Sequence, residues 1–273
     1  MNPVLSAFLL TTLAGISTGI GSAIAFFTKK TNTKFLSVSL GFSAGVMVYV
    51  SMVEIFPEAR QLLSVAISPR LGNGIAILAF FFGILLIVII DKLIPKDHNP
   101  HEVKPVEGLL VDDITPASKA ISHSKLMRTG LFTALAIAIH NFPEGLAAFV
   151  SALQAPSIAI PIVVAIALHN IPEGIAISVP IYYATGSKKK AFLYSFASGL
   201  SEPLGALVGY LILLPFINDT IYGVLFAAVA GIMVFISFDE LLPSAREYGE
   251  HHLSIYGLIA GMAVMAVSLL LFM

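Results

Sequence analysis

The sequence predicts an all-α integral membrane protein of eight transmembrane helices with inverted internal repeats. Three observations carry that expectation. Of 273 residues, 57% are apolar and only 11% are charged. The mean hydropathy is +0.93. Long apolar runs recur along the whole chain, and two motifs within them return. A water-soluble domain carries about 25% charged and about 45–50% apolar residues. A net charge of −1 without a large basic cluster excludes a nucleic-acid partner, and the absence of cysteine removes disulfide, iron–sulfur and Cys-based zinc chemistry.

Crossing roughly 30 Å of hydrocarbon takes about 20 residues. The first apolar run, about 3–27, has no Lys or Arg before Lys29 and is too long for a secretory signal. The second and third cover about 35–56 and about 74–94. Pro95 to Lys125 mixes Pro, Asp, Glu, Lys and His and reads as a flexible loop. The fourth and fifth runs, about 127–152 and about 157–183, carry the same motif, and the sixth, about 191–214, contains Glu202 before Pro203. The last two cover about 221–243 and about 253–273. Eight spans nearly exhaust the length, so residues 1–273 form one transmembrane domain.

Eight crossings put both termini on one side. Of the 15 Lys and Arg, only Arg60 and Arg70 fall in loops on the terminal side. The positive-inside rule therefore places both termini outside and the 95–125 loop in the cytoplasm of a cell inner (plasma) membrane protein.

Residues 136–147 read AIAIHNFPEGLA and residues 165–176 read AIALHNIPEGIA, which maps the fourth span onto the fifth. The run from Gly45 to Pro57 matches Gly231 to Pro243, mapping the second span onto the seventh, and Ala59-Arg60 matches Ala245-Arg246. Each matched pair would run in opposite directions. The grouping is spans 1–3 with 6–8, and 4 with 5 at the centre. Inverted repeats of this kind mark secondary transporters, whose substrate sites lie near the midplane at the repeat interface.

His140 and Glu144 are one helical turn apart, as are His169 and Glu173, so each pair shares a face. Asn141 and Asn170 sit on the adjoining stripe. Pro143 and Pro172 free the carbonyls of Ile139 and Leu168, which must then face protein or a wet cavity. With Glu202, three acids and two imidazoles converge, while no Lys or Arg lies mid-span. Uncompensated carboxylates in a bilayer cost several kcal/mol each. A divalent cation resolves that cost, and imidazole with carboxylate suits Zn²⁺, Fe²⁺ or Mn²⁺ rather than Mg²⁺ or Ca²⁺. Glu54 and Glu240 read as lying near opposite membrane surfaces, where they line entry and exit vestibules or are merely solvated. Met47 and Met233 read as packing, with Met47 able to offer a thioether. Gly15/Gly19, Gly41/Gly45, Gly205/Gly209 and Gly257/Gly261 read as packing faces. His98, His101, His123, His251 and His252 read as solvated on the cytoplasmic side.

The segments HNFPEG (140–145), HNIPEG (169–174), SEPLGA (201–206) and DELLPSAREYGEHH (239–252) resemble the ZIP family of divalent-metal transporters, most closely a bacterial branch of it. The resemblance covers the whole chain. It implies uptake of metal into the cytoplasm by alternating access, chiefly of Zn²⁺ with Fe²⁺ tolerated, through a binuclear centre and with no catalytic cofactor. By position, His140, Glu144, His169 and Glu173 would hold one ion. Asn141, Glu144, Asn170, Glu173 and Glu202 would hold the second, with both glutamates bridging. Met47 matches a position near the first ion; apart from the resemblance, Met47, Glu54, Asp239 and Glu240 are candidates for the pathway. Many relatives carry a long His run in the central loop, whereas here the histidines are scattered. The partners expected are divalent metal ions and lipid, with a homodimer as an open assembly. An intramembrane metallohydrolase is the alternative, but it lacks HExxH and has no use for a duplicated site. A metal sensor would call for a signalling domain.

Overall fold

A computed structural model describes residues 2–26, 33–93, 116–154, 156–213, 216, 218–248 and 251–272. Among these residues there is no strand. Helices α1 (Pro3–Ala25), α2 (Thr33–Val50), α3 (Phe56–Ala66) and α4 (Pro69–Leu93) precede the central loop. Helices α5 (Pro116–Gln154), α6 (Pro156–Thr185), α7 (Lys188–Gly199), α8 (Ser201–Val208), α9 (Asp219–Ile236), α10 (Leu242–Tyr248) and α11 (His251–Phe272) follow it. Residues 95–115 of the expected loop, with His98 and His101, lie outside the described residues. Residues 116–125, expected to complete that loop, are instead the first turns of α5, because a proline at the first helical position is pre-set for the helix.

Among the described residues seven helical stretches are long and apolar enough to cross a membrane: Pro3–Ala25, Ser37–Ala66, Pro69–Ile90, Thr133–Leu153, Ile162–Thr185, Asp219–Arg246 and His252–Leu271. The chain is a multi-pass membrane protein. The sixth expected span, 191–214, is not one helix but α7, α8 and a π turn at Gly209–Leu213, with a break at Leu200. Pro203 has no N–H to give the Gly199 carbonyl, and the Ser201 hydroxyl donates back to Ser198 O at 2.6 Å.

Lipid as solvent turns the usual pattern inside out. Helix α1 exposes Leu5, Leu9, Leu13, Ile16, Ile20 and Ile24 and buries Ala7, Thr11, Ala14, Gly15, Thr18 and Ser22. Hydroxyls and small residues therefore face the protein, where they allow close approach, and the Thr11 hydroxyl donates to the Ala7 carbonyl one turn back. On α2 and α11, a Cβ at Gly41, Gly45, Gly257 or Gly261 would fall on a backbone carbonyl of the other helix.

Packing divides the helices into two groups. Helices α1, α5, α6, α7 and α8 form one bundle, and α2, α3, α4, α9, α10 and α11 form the other. The bundles meet chiefly along α2 and α6, with lesser contacts of α5 with α9 and α6 with α11.

Two further π turns interrupt the second bundle, at Ser51–Ile55 between α2 and α3 and at Ser237–Leu241 between α9 and α10. They occupy matching positions of the second-to-seventh-span repeat. Phe56 N–H donates to Ser51 O and Leu242 N–H to Ser237 O, the wide spacing of a π turn. Pro57 and Pro243 follow directly and cannot supply the α-helical bond to Val53 or Asp239.

Candidate metal centre

The two duplicated motifs meet in the interior of the first bundle. His140, Asn141 and Glu144 lie on α5, His169, Asn170 and Glu173 on α6, and Glu202 on α8; all seven are at most 1% exposed. Both helices run through Pro143 and Pro172 without a break. The pairing is reciprocal between helices rather than within them. His140 Nε2 lies 3.4 Å from Glu173 Oε2. His169 Nε2 lies 3.1 Å from Glu144 Oε2, within hydrogen-bonding range. Each imidazole thus meets the glutamate of the other repeat, although its own glutamate is only one turn away.

Glu202 is tied in through Asn170, whose Nδ2 donates to Glu202 Oε1 and, at 3.0 Å, to the Ala14 carbonyl of α1. That double donation turns the amide oxygen the other way. Asn170 Oδ1 is buried without a hydrogen-bond partner, as are Glu202 Oε2, Glu144 Oε1, both Glu173 carboxylate oxygens and both side-chain polar atoms of Asn141. His169 Nδ1 is in the same condition. Buried polar atoms are nearly always hydrogen-bonded, so a cluster of orphans is a feature to be explained. Two imidazoles, two amides and three carboxylates suit a divalent transition ion, and their unpaired oxygens are the atoms a cation attracts. Among the described residues no three His or carboxylate groups close a coordination shell as they stand. The centre is built of pairs.

The second bundle supplies the wall. Glu240, expected near a membrane surface, is instead 7% exposed, with Oε2 3.9 Å from His140 Nδ1. Glu240 lies within the π turn, whose extra residue rotates the face that it occupies. Its neighbour Asp239 is exposed, and Glu54, in the matching π turn, is half-buried. Met47 is fully buried on α2, one turn beyond Ser43, whose hydroxyl donates to the His169 carbonyl at 3.4 Å. Ser43 and the Ala14 carbonyl are contributions that reading the sequence did not single out. A backbone carbonyl has no sequence signature, and a serine on a small-residue face reads as packing.

A buried, duplicated imidazole–carboxylate centre inside a multi-pass helical bundle defines a membrane transporter of metal ions. The description "ZIP Zinc transporter" belongs to the family model that matches residues 94–269. The chain is 67% identical over 267 residues to the zinc transporter ZupT of Streptococcus mutans, covering 98% of this chain and 97% of the relative. It is 64% identical over 278 residues to ZupT of Clostridium perfringens, covering 100% and 98%. Identity to ZupT of Oceanobacillus iheyensis is 62% over 271 residues, 99% of each chain. This chain belongs to the ZIP family and is a transporter, not an enzyme.

Proposed function

We propose that this chain carries Zn²⁺, with Fe²⁺ and similar divalent ions tolerated, across the cell membrane into the cytoplasm by alternating access. The observation that carries the proposal is the reciprocal His140–Glu173 and His169–Glu144 pairing, bordered by carboxylate and amide oxygens that have no hydrogen-bond partner and, among the described residues, no Lys or Arg paired with them. His140, Glu144, His169 and Glu173 hold one ion. Asn141, Glu144, Asn170, Glu173 and Glu202 hold a second, and the two glutamates bridge. Anion bridging lowers the repulsion between two cations at close range, which neutral ligands alone leave uncompensated.

Met47 on one side, and Glu240 with Asp239 on the other, continue the pathway away from the centre, and Glu54 marks its far end. Both histidines border the second bundle, His140 at Glu240 and His169 through the Ser43 bond to its carbonyl, while the asparagines and Glu202 lie within the first. Displacing one bundle against the other exposes the centre to one side at a time. The chain crosses eight times, with α7, α8 and the π turn after them as the sixth crossing, and the matched π turns accord with inverted repeats. The test is Zn²⁺ uptake by purified protein in vesicles, with Fe²⁺, Mn²⁺, Mg²⁺ and Ca²⁺ as competitors. Uptake blocked by Fe²⁺ but not by Mg²⁺ is expected. Vesicles that accumulate no transition metal overturn the proposal.

A further inference from the structure

We infer that Gly145, the residue directly after Glu144, is a positioning residue that sets the reach of Glu202 and thereby the asparagine half of the centre; this rests on the two-ion reading above. A Cβ at Gly145 would fall on the carbonyl oxygen, the carbonyl carbon and Cα of Glu202. All three obstructing atoms are backbone, so no rotamer change relieves the overlap and α8 itself must retreat. From the other side, a Cβ at Gly205 would fall on the Phe142 carbonyl oxygen. Helices α5 and α8 thus touch backbone to backbone at the residue whose carboxylate enters the centre.

That seat holds one chain of contacts in place. Glu202 Oε1 accepts from Asn170 Nδ2, which also donates to Ala14 O, and this leaves Asn170 Oδ1 and Glu202 Oε2 as the unpartnered atoms. The chain runs from α8 through α6 to α1. The two His–Glu pairs run between α5 and α6 and include no residue of α8. A retreat of α8 on the order of 1 Å takes a hydrogen bond out of its working range. An alanine at 145 therefore disables the Asn–Glu202 half and spares the histidine half. Gly174 holds the matching place in the second motif, but a Cβ there would meet Thr18 O of α1, which backs Asn170 through the Ala14 carbonyl and sends no side chain into the centre. The two motif glycines are not equivalent.

The experiment titrates Zn²⁺ alone into the purified full-length chain in detergent, for the wild type, Gly145→Ala, Glu202→Ala, the double variant and Gly209→Ala. The last is a control for loosening of the same helix pair. Its Cβ would press first on Leu146 Cδ1 at 2.5 Å, the movable end of a side chain, so it binds as the wild type does. The wild type binds two ions per chain. Gly145→Ala retains one and loses affinity for the other by about 10–100-fold, the usual loss when a group that orients a ligand is removed. Adding it to Glu202→Ala costs nothing further. Wild-type binding by Gly145→Ala, or its full loss repeated in the Glu202→Ala background, overturns the inference. Should Gly145→Ala not fold, Gly205→Ala presses on the same crossing from α8 and carries the same expected and overturning outcomes. A wild type that binds a single ion, unchanged in Glu202→Ala, overturns the two-ion reading and the inference with it.

Discussion

Glu144 and Glu173 each hold an imidazole of the opposite helix with one oxygen and keep further oxygen capacity in reserve. On the two-ion proposal, removing either carboxylate deletes a shared anion and takes the opposite-helix partner from a buried imidazole. Glu144→Ala and Glu173→Ala are expected to lower Zn²⁺ uptake by about 100-fold or more, beyond the upper end of losses from merely orienting groups. Normal flux through both folded variants would mean the centre is misplaced. His140→Ala should be milder, because water can replace a neutral ligand. Glu202→Gln removes the only carboxylate peculiar to the asparagine half, whose oxygen ligands are harder than imidazole. Fe²⁺ flux should therefore fall more than Zn²⁺ flux in the same vesicles, and a larger loss for Zn²⁺ would reverse the assignment. At this scale the sequence was legible wherever helical spacing alone decides: one turn from His to Glu puts both on one face, whatever surrounds them. Their partners were not legible. Crossed pairing between α5 and α6, and the Ala14 carbonyl behind Asn170, depend on how helices dock, and docking leaves no local pattern.

Proline and the helices' own spacing explain where the elements depart from a ruler of twenty-residue spans. Pro203 divides the sixth run at Leu200, and Pro57 and Pro243 each follow a π turn. A π turn is an α-helix carrying one extra residue, so deleting one residue restores the regular pitch. Phe238 points outward at 54% exposed, which makes it the residue to remove with least harm to packing. Its deletion swings residues before and after the turn by about 100° relative to each other, the angle per residue of an α-helix. Glu240 then leaves the neighbourhood of His140. Zn²⁺ uptake is expected to fall about tenfold with folding preserved, as judged by size-exclusion profile and helical content, roughly the loss of one orienting partner. Unchanged uptake would remove Glu240 from the pathway. The repeat that joins the second span to the seventh was visible in the residues, but nothing in hydropathy distinguishes a π turn from an α turn. The burial of Glu240 beside His140 therefore left no sign in the sequence.

For the whole molecule, the decisive quantity is the number of crossings. The run from Lys188 to Leu213, at about 1.5 Å per residue, is long enough for roughly 30 Å of hydrocarbon despite its break. If it crosses, the total is eight and the termini share a side. If it does not, the seven long helices leave them on opposite sides. The charge pattern would add direction: with eight crossings, all Lys and Arg but Arg60 and Arg70 fall on one side, which the positive-inside rule would assign to the cytoplasm. The chain contains no cysteine, so single cysteines report cleanly. Four positions suffice: Asn2→Cys, Gly74→Cys, Glu107→Cys and a cysteine appended after Met273. Gly74 tolerates a side chain because a Cβ there meets nothing within 4 Å. In intact cells an impermeant thiol reagent should label the two terminal positions and Gly74→Cys from outside, and Glu107→Cys only after the membrane is opened. Outside labelling of Glu107→Cys alone would invert the orientation and turn uptake into export. Outside labelling of Asn2→Cys but not of the appended cysteine would reduce the crossings to an odd number. The second repeat would then lack its sixth-span member, and Glu202 would reach the centre from a helix that enters the membrane and returns.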